Sequence, residues 1–445
     1  MPDRPIIVRN ACIIAGRGRA IPCGFILARG GTIESLGDDS RAPDARGARA
    51  IDARGRYVLP GLVNPHMHLY GMLALGAPAR RARAFGQVLE RLWWRLDRAL
   101  TLDDVHASAL LGAIASVRAG VTTVFDHHAS YGAIRGSLHT VSEAVRQVGL
   151  RACLSFEISD RGGRRLRDEA AEESASFLES IRARIAREPG CLQRGMVGLH
   201  ASMTLSDATI EAARELMEVY GVGAHVHVAE GAEDVAATRR RFRITPAARF
   251  AEMGVLRRGS IAAHCVHVNG RDISLLKRSG ATVAHNPMSN LANAVGVAPV
   301  LAMARAGVPV AIGTDGMSAG ISQDALLASV VHRAGARDAQ AGMREAAYAI
   351  WGAAPELASG AFGCGLGRLR RGAAADFIIV DAVPRTPVTA ANAEAHLIFG
   401  ALSAPVRTTI VAGRELMRDF EIRGFDEVSL AARARRLAAR LWKRM

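Results

Sequence analysis

The chain has 445 residues and a formal net charge of +15, long enough for one large domain or two to three smaller ones. Nearly all of the basic charge is arginine, because lysine occurs only at 277 and 443. The arginines are dispersed, often in helix-like stretches such as "RARAFGQVLERLWWRLDRAL", with no aromatic-interleaved basic motif, zinc-finger spacing or phosphate loop, so nucleic-acid binding is not expected. No uncharged apolar run approaches membrane-span length, "MPDRPIIVRNACIIAG" carries no h-region or cleavage site, and six scattered cysteines without CxxC pairing suit reduced thiols. A cytoplasmic protein is the expectation.

The first residues read as short strands with turns, "PIIVRNACIIAG", "GFILARGGTIESLG" and "ARGARAIDARGRYVLPG". Glycine and aspartate punctuate them at the spacing of an all-β module. The same texture returns in "DFIIVDAV", "HLIFGAL" and "VRTTIVAGREL". Neither end can bury a core alone, so the two are expected to pair as one small β-sandwich, 1–57 with 366–445, the latter also carrying a terminal helix.

Between them, over 58–365, apolar β-rich runs alternate with helical stretches such as Val141–Val148, Ala171–Arg187, Asp207–Tyr220 and Thr245–Met253, the pattern of parallel βα units. The runs are "YVLPGLVNPHMH", "GVTTVFDHHAS", "LRACLSFEISD", "MVGLHAS", "VGAHVHVAE", "SIAAHCVHV", "ATVAHNPMSN" and "VPVAIGTDG". They are near-continuously apolar, as strands buried on both faces must be. Eight such units predict an α/β fold, a (β/α)8 TIM-type barrel. A closed barrel carries its chemistry at the C-terminal strand ends. That is where His66, His68, Asp126, His127, His200, His227, Glu230, His264, His285 and Asp315 fall.

Residues i and i+2 of a strand share a face, so His66 and His68 can hold one metal ion together. "HVHVAE" offers His225, His227 and Glu230. "GTDG" offers Asp315 between glycines that permit close backbone approach; a turn or helix-cap aspartate is the plain alternative. His225, His267, Trp93 and Trp94 read equally well, or better, as packing or surface residues.

The motifs "PGLVNPHMH", "HVAE", "AHCVH", "HNPMSN" and "GTDG", in that order, resemble the amidohydrolase superfamily. The likeness runs over nearly the whole chain and is closest to the branch of guanine deaminases, S-adenosylhomocysteine and methylthioadenosine deaminases and triazine chlorohydrolases. "LWWRLDRAL", "FDHHAS" and "GLHASMTLS" look like the SsnA aminohydrolases. The resemblance implies metal ligands at His66, His68, His227 and Asp315, a proton shuttle at Glu230, and a water-orienting His264. It also implies a substrate contact at His200, with His127, His285 and Ser318 as further pocket candidates. One divalent ion per chain is implied, Zn2+ with Fe2+ as the alternative. The family's bridging lysine is missing, since neither Lys277 nor Lys443 stands at a suitable strand end.

A divalent metal lowers the pKa of bound water from 15.7 to about 7, and a carboxyl within reach protonates the ring nitrogen under attack. The expected reaction is therefore release of ammonia from a purine-like cyclic amidine. Hydrolysis of another leaving group, such as halide on a triazine, uses a similar shell, and a non-catalytic scaffold is the reading from another class. The segment "TDGMSAGISQD" places Ala319 and Gly320 where nucleoside deaminases carry polar residues, which points to a base with little or no sugar. The expected partners are that small heterocycle and a second copy of the chain in a homodimer, with neither nucleic acid nor membrane.

Overall fold

The computed structural model describes residues 4–445 apart from 17, 79 and 317. Eight parallel strands form the barrel: β1 Leu62–Met67, β2 Val121–His128, β3 Arg151–Ile158, β4 Val197–Ala201, β5 Ala224–Val228, β6 Ile261–His264, β7 Thr282–His285 and β8 Val310–Ile312. Every residue of these strands is buried, which is why the sequence shows apolar runs rather than alternation. The helices between them follow their capping signals. In the helix Asp207–Tyr220, Ser206 caps the amide of Thr209 at 3.3 Å and Gly221 ends it in the left-handed region at φ 65°.

The barrel closes just beyond β8. The amides of Thr314 and Asp315 both donate to the carbonyl of His66, at 3.1 and 3.0 Å, and Met67 pairs with Asp315 in a parallel bridge. First and last strands are thereby joined at the level of the predicted ligands.

The second sheet draws on both chain ends. Its hydrogen-bonded order is Glu421–Ile422, Arg414–Arg418, Val406–Val411, Phe377–Val380, Tyr57–Pro60, Ile6–Gly16, Arg19–Arg29 and Thr32–Asp38, with Arg49–Asp52 also on Ile6–Gly16. Its core gathers Ile6, Val8, Ile13 and Ile26 with Phe377, Ile379 and Ile410. The run "YVLPGLVNPHMH" therefore serves two sheets. Tyr57–Pro60 pairs with Phe377–Val380, and the chain crosses to β1 at Gly61, where a Cβ would meet Thr122 Oγ1 at 2.2 Å. Among the described residues no single helix is long and apolar enough to cross a membrane.

Barrel and second sheet are locked by a buried bidentate ion pair. Arg151 on β3 donates to Asp376 through Nε at 3.0 Å and Nη2 at 3.1 Å, with the side chains 5% and 1% exposed. Asp376 also accepts the amide of Ala412 at 2.7 Å. Removing one partner strands the other charge in a dry interior, which costs about 3–5 kcal/mol. Asp376→Ala is accordingly expected to lower unfolding stability by about that amount in urea titrations of the metal-loaded protein. A loss under about 1 kcal/mol, the range of a surface pair, would refute the lock.

Candidate metal centre

The ends of β1, β5, β6 and the segment after β8 converge on one buried cluster. His66, His68, His127, His225, His227 and His264 lie ring against ring, most pairs edge to face and His68–His227 stacked, with neighbouring centroids from 4.5 Å (His127–His227) to 6.1 Å (His66–His127). The donor atoms of His66, His68 and His227 lie within 4.8 Å of one another, as do those of His66, His264 and Asp315. Asp315 Oδ1 is 2.9 Å from His68 Nε2 and 3.4 Å from His66 Nε2.

Each ring is aimed by a bond to its other nitrogen. His68 Nδ1 donates to the carbonyl of His127 at 2.5 Å, and His227 Nδ1 to that of His200 at 3.1 Å. His264 Nδ1 donates to Asn290 Oδ1 at 2.8 Å. His66 Nδ1 meets His225 Nε2 at 2.7 Å. These bonds leave the Nε2 atoms facing inward, and those of His66 and His264 are buried without any hydrogen-bond partner. Inward-facing imidazole lone pairs with anchored second nitrogens, joined by one carboxylate, fit a divalent ion.

The electrostatics agree with that fit. Burial drives His66 down to about 3 and His227 well below its ordinary value, so both keep free lone pairs. Burial also works against the imidazolium of His68, yet the hydrogen bond and charge of Asp315 lift it to about 9. Asp315 is held well below the usual carboxylate range: burial opposes this, and bonds from His66 and His68 outweigh it. A cation here takes the place of the proton that His68 and Asp315 hold between them. Glu230 sits with Oε2 3.5 Å from His264 Nε2. Burial first, then the charges of Asp315, Asp234 and Glu233, push it well above its ordinary value, which favours its acid form.

The backbone is bent to make this possible. Ala229, His264 and Asp315 stand at φ 49°, 70° and 58°, a left-handed region that costs a non-glycine residue about 1–3 kcal/mol. Glycines are required beside Asp315. A Cβ on Gly313 would meet Asn286 Oδ1 at 2.4 Å and the His66 carbonyl at 3.0 Å, and one on Gly316 would meet Trp93 Cη2 at 2.6 Å.

A small cavity opens over the cluster, lined by His68, His200, His227, Glu230 and Asp315. His200 is fixed by Thr204 Oγ1 at 2.7 Å and lies 5.6 Å from the ring of His227. The other pocket candidates lie elsewhere. His127 is buried behind the cluster with Nε2 3.1 Å from the carbonyl of Leu199. His285 pairs with His332 at 3.1 Å, and Ser318 is half-buried; neither is among the described lining residues. The cavity wall instead uses Tyr70, Phe85, Leu89, Trp93, Trp94 and Asn293. Trp93 and Trp94 thus line the pocket instead of serving only as core. His225 lies on the strand face of His227, with its Nε2 2.7 Å from His66 Nδ1. Asp97 and Glu157, also in the wall, carried no motif.

With this geometry, comparison with known proteins is decisive for the family. The amidohydrolase family matches residues 57–416. A 5-methylthioadenosine/S-adenosylhomocysteine deaminase of Symbiobacterium thermophilum is 32% identical over 98% of this chain and 99% of its own. A 5′-deoxyadenosine deaminase of Methanosarcina mazei is 30% identical over 99% of both chains. The chain therefore belongs to the amidohydrolase family. An adenosine deaminase from Xanthomonas campestris with bound zinc has the same fold, with TM-score 0.83, 24% identity and 98% of each chain covered. So does a zinc-complexed atrazine chlorohydrolase from Arthrobacter aurescens, with TM-score 0.82, 23% identity, and 97% of this chain and 100% of that one covered.

Orienting partners of ligand histidines typically contribute 10–100-fold to metal affinity. His225→Phe removes the bond to His66 Nδ1 while keeping a buried ring. Competition against a chelator is expected to show metal retention weakened roughly tenfold or more; unchanged retention would show that His225 only fills space.

Proposed function

We propose that this chain is a hydrolytic deaminase of adenosine-like nucleosides, with one divalent metal, zinc or alternatively iron, held by His66, His68, His227 and Asp315. The observation that carries the reading is the position of Glu230. It is a carboxyl 3.5 Å from His264, three residues beyond His227, at the edge of a cavity walled by aromatic rings.

A bound divalent ion supplies Lewis acidity that makes water a competent nucleophile near neutral pH. The remaining work belongs to side chains. His264, fixed by Asn290, turns its free Nε2 toward the space beside Glu230 and orients the water. Glu230, whose acid form burial favours, delivers its proton to the ring nitrogen as the water oxygen bonds to the amino-bearing carbon. Asp315 accepts the water's proton. The proton held by Asp315 passes to the amino group, the carbon–nitrogen bond breaks and ammonia leaves, while the hydroxyl proton of the adduct returns to Glu230 as the carbonyl forms. His200 and the Trp93–Trp94 wall hold the flat ring.

Two relatives at 30% and 32% identity are named for nucleosides, and this supports nucleosides over the expected free base. Ala319 and Gly320 put no polar side chains at their two positions in the loop after Asp315, but Asn293 brings an amide to the cavity from another segment. The dechlorinating neighbour shares only the fold at 23% identity, so deamination is preferred to halide release.

Ammonia release from adenosine and 5′-deoxyadenosine is expected to exceed that from guanine in kcat/KM, with chlorotriazines inert. The reverse order would displace the nucleoside reading. Glu230→Gln keeps shape and removes the acid; turnover is expected to fall by about 10²–10⁴ while the metal stays bound. Near-normal turnover or lost metal in that variant contradicts the assigned role. Elemental analysis of pure protein should find one equivalent, absent from His66→Ala and Asp315→Ala. Two tightly bound equivalents would overturn the mononuclear assignment, and a metal-free native protein would favour a scaffold.

A further inference from the structure

The charge of the cavity runs against that of the chain. Asp97, Glu157, Glu230, Glu233, Asp234 and Asp315 are among the described residues lining the main cavity and its side arm, and no lysine or arginine is. Glu230 and Asp315 belong to the chemistry, and Asp234 caps backbone amides of Met203 at 2.8 Å and Ala229 at 3.1 Å. Asp97 and Glu157 have no such duty. They approach each other from the helix Trp94–Ala99 and from β3 because both accept from the same nitrogen, Nη2 of Arg161, which is 3.1 Å from Glu157 Oε1.

Arg161 stands behind this wall. Its guanidinium lies 4.3 Å from the centre of the Tyr131 ring and 5.4 Å from that of Trp94, where the ring faces stabilise the cation. It balances one of the two carboxylates. Asp97 is 1% exposed and its Oδ1 has no hydrogen-bond partner. Glu157 is 4% exposed, with Oε2 3.7 Å from the unpartnered Nδ1 of His127. Burial raises Asp97 to about 7 in spite of Arg161. An unmatched buried acceptor in a cavity wall costs about 1–3 kcal/mol until a ligand supplies a donor.

We propose that Asp97 and Glu157, pinned side by side by Arg161, form a charge filter: the pocket admits uncharged or cationic donor-bearing substrates and rejects those with a carboxylate or phosphate. At the Asp97–Glu157 wall, away from the metal ligands, an anionic substituent meets acceptors and no lysine or arginine among the described lining residues, and like charges so juxtaposed cost several kcal/mol. Neutral or cationic substituents find the unmatched oxygen of Asp97. Arg161 is a positioning residue, acting only through the carboxylates it holds. The filter rests on the deaminase reading and narrows it to nucleosides whose substituents carry no negative charge.

A series of near-equal shape tests this on the zinc-loaded full chain: 5′-deoxyadenosine, 5′-amino-5′-deoxyadenosine and adenosine 5′-carboxylate. The neutral and cationic compounds are expected to exceed the carboxylate by roughly a hundredfold in kcat/KM. Asp97→Asn should shrink that preference by about tenfold or more, with the change falling in KM. Arg161→Lys, whose ammonium cannot bridge both carboxylates from between two rings, should move it the same way. Equal kcat/KM across the series, or an undiminished preference in a folded Asp97→Asn protein, overturns the filter. Calorimetric binding of the same compounds separates the two readings. Charge discrimination without ammonia release keeps the wall and removes the deaminase, whereas ammonia release without discrimination does the opposite.

Discussion

The carbonyl of His66 accepts two amides, those of Thr314 and Asp315, and the rest of the site depends on that seam. It joins the first strand to the chain just past the last, so it completes the barrel and also brings Asp315 against His66 and His68. These ligands lie some 250 residues apart in sequence, and no local interaction could bring them together. Asn64 reinforces the seam, donating through Nδ2 to Thr314 Oγ1 at 2.8 Å. Gly313 permits it, because a Cβ there would collide with the very carbonyl that accepts the bonds. Closure of the fold and assembly of the donor cluster are one event.

Closure alone would leave a cluster of imidazoles free to rotate. The anchors are drawn from the strands between: carbonyls of His127 on β2 and His200 on β4, a ring from β5, and the amide of Asn290. Two of the four are main-chain atoms whose positions the parallel ladder fixes. The barrel thus sets the tautomer and direction of its ligands largely with groups it already possesses. Burial does the rest, since desolvation keeps His66 and His227 neutral with lone pairs available to a cation.

Much of this was legible in the chain. Buried parallel strands must be apolar throughout, so the eight runs announced the barrel, and the polar residues that interrupt them at their C-terminal ends marked the side chains that cluster at its mouth. What escaped has physical reasons. His225 was visible as an alternating neighbour of His227, but its partner lies on β1, and pairing across a barrel leaves no mark in spacing. Ala229, His264 and Asp315 take left-handed backbone that glycine normally signals. His285, at a strand end like the others, is claimed by His332 from the helix Ile321–Ala336. Asp97, Glu157 and Arg161 sit in segments whose apolar neighbours look like ordinary helix and strand. Only the helix Trp94–Ala99, folded over the barrel mouth, turns them into a wall.

The arginine bias, which composition alone presented as a dispersed surface property, has structural work inside the protein. Many arginines form exposed short-range pairs such as Arg146–Glu143 and Arg214–Glu218, worth little individually. Three are different. Arg151 bridges barrel and second sheet, Arg249 is 1% exposed and donates to Ser202, Leu205 and Asp207, and Arg161 lies between Tyr131 and Trp94. Arg151 and Arg249 use several nitrogens of one planar cation and Arg161 bridges two carboxylates through Nη2, in places where a lysine would offer a single point charge and would readily lose its proton on burial. A guanidinium keeps its charge in the interior, so it holds its carboxylate partners in place. The excess positive charge of the chain is therefore compatible with an acidic cavity: its interior cations are paired behind the walls, and the acceptors they position face the space a substrate would fill.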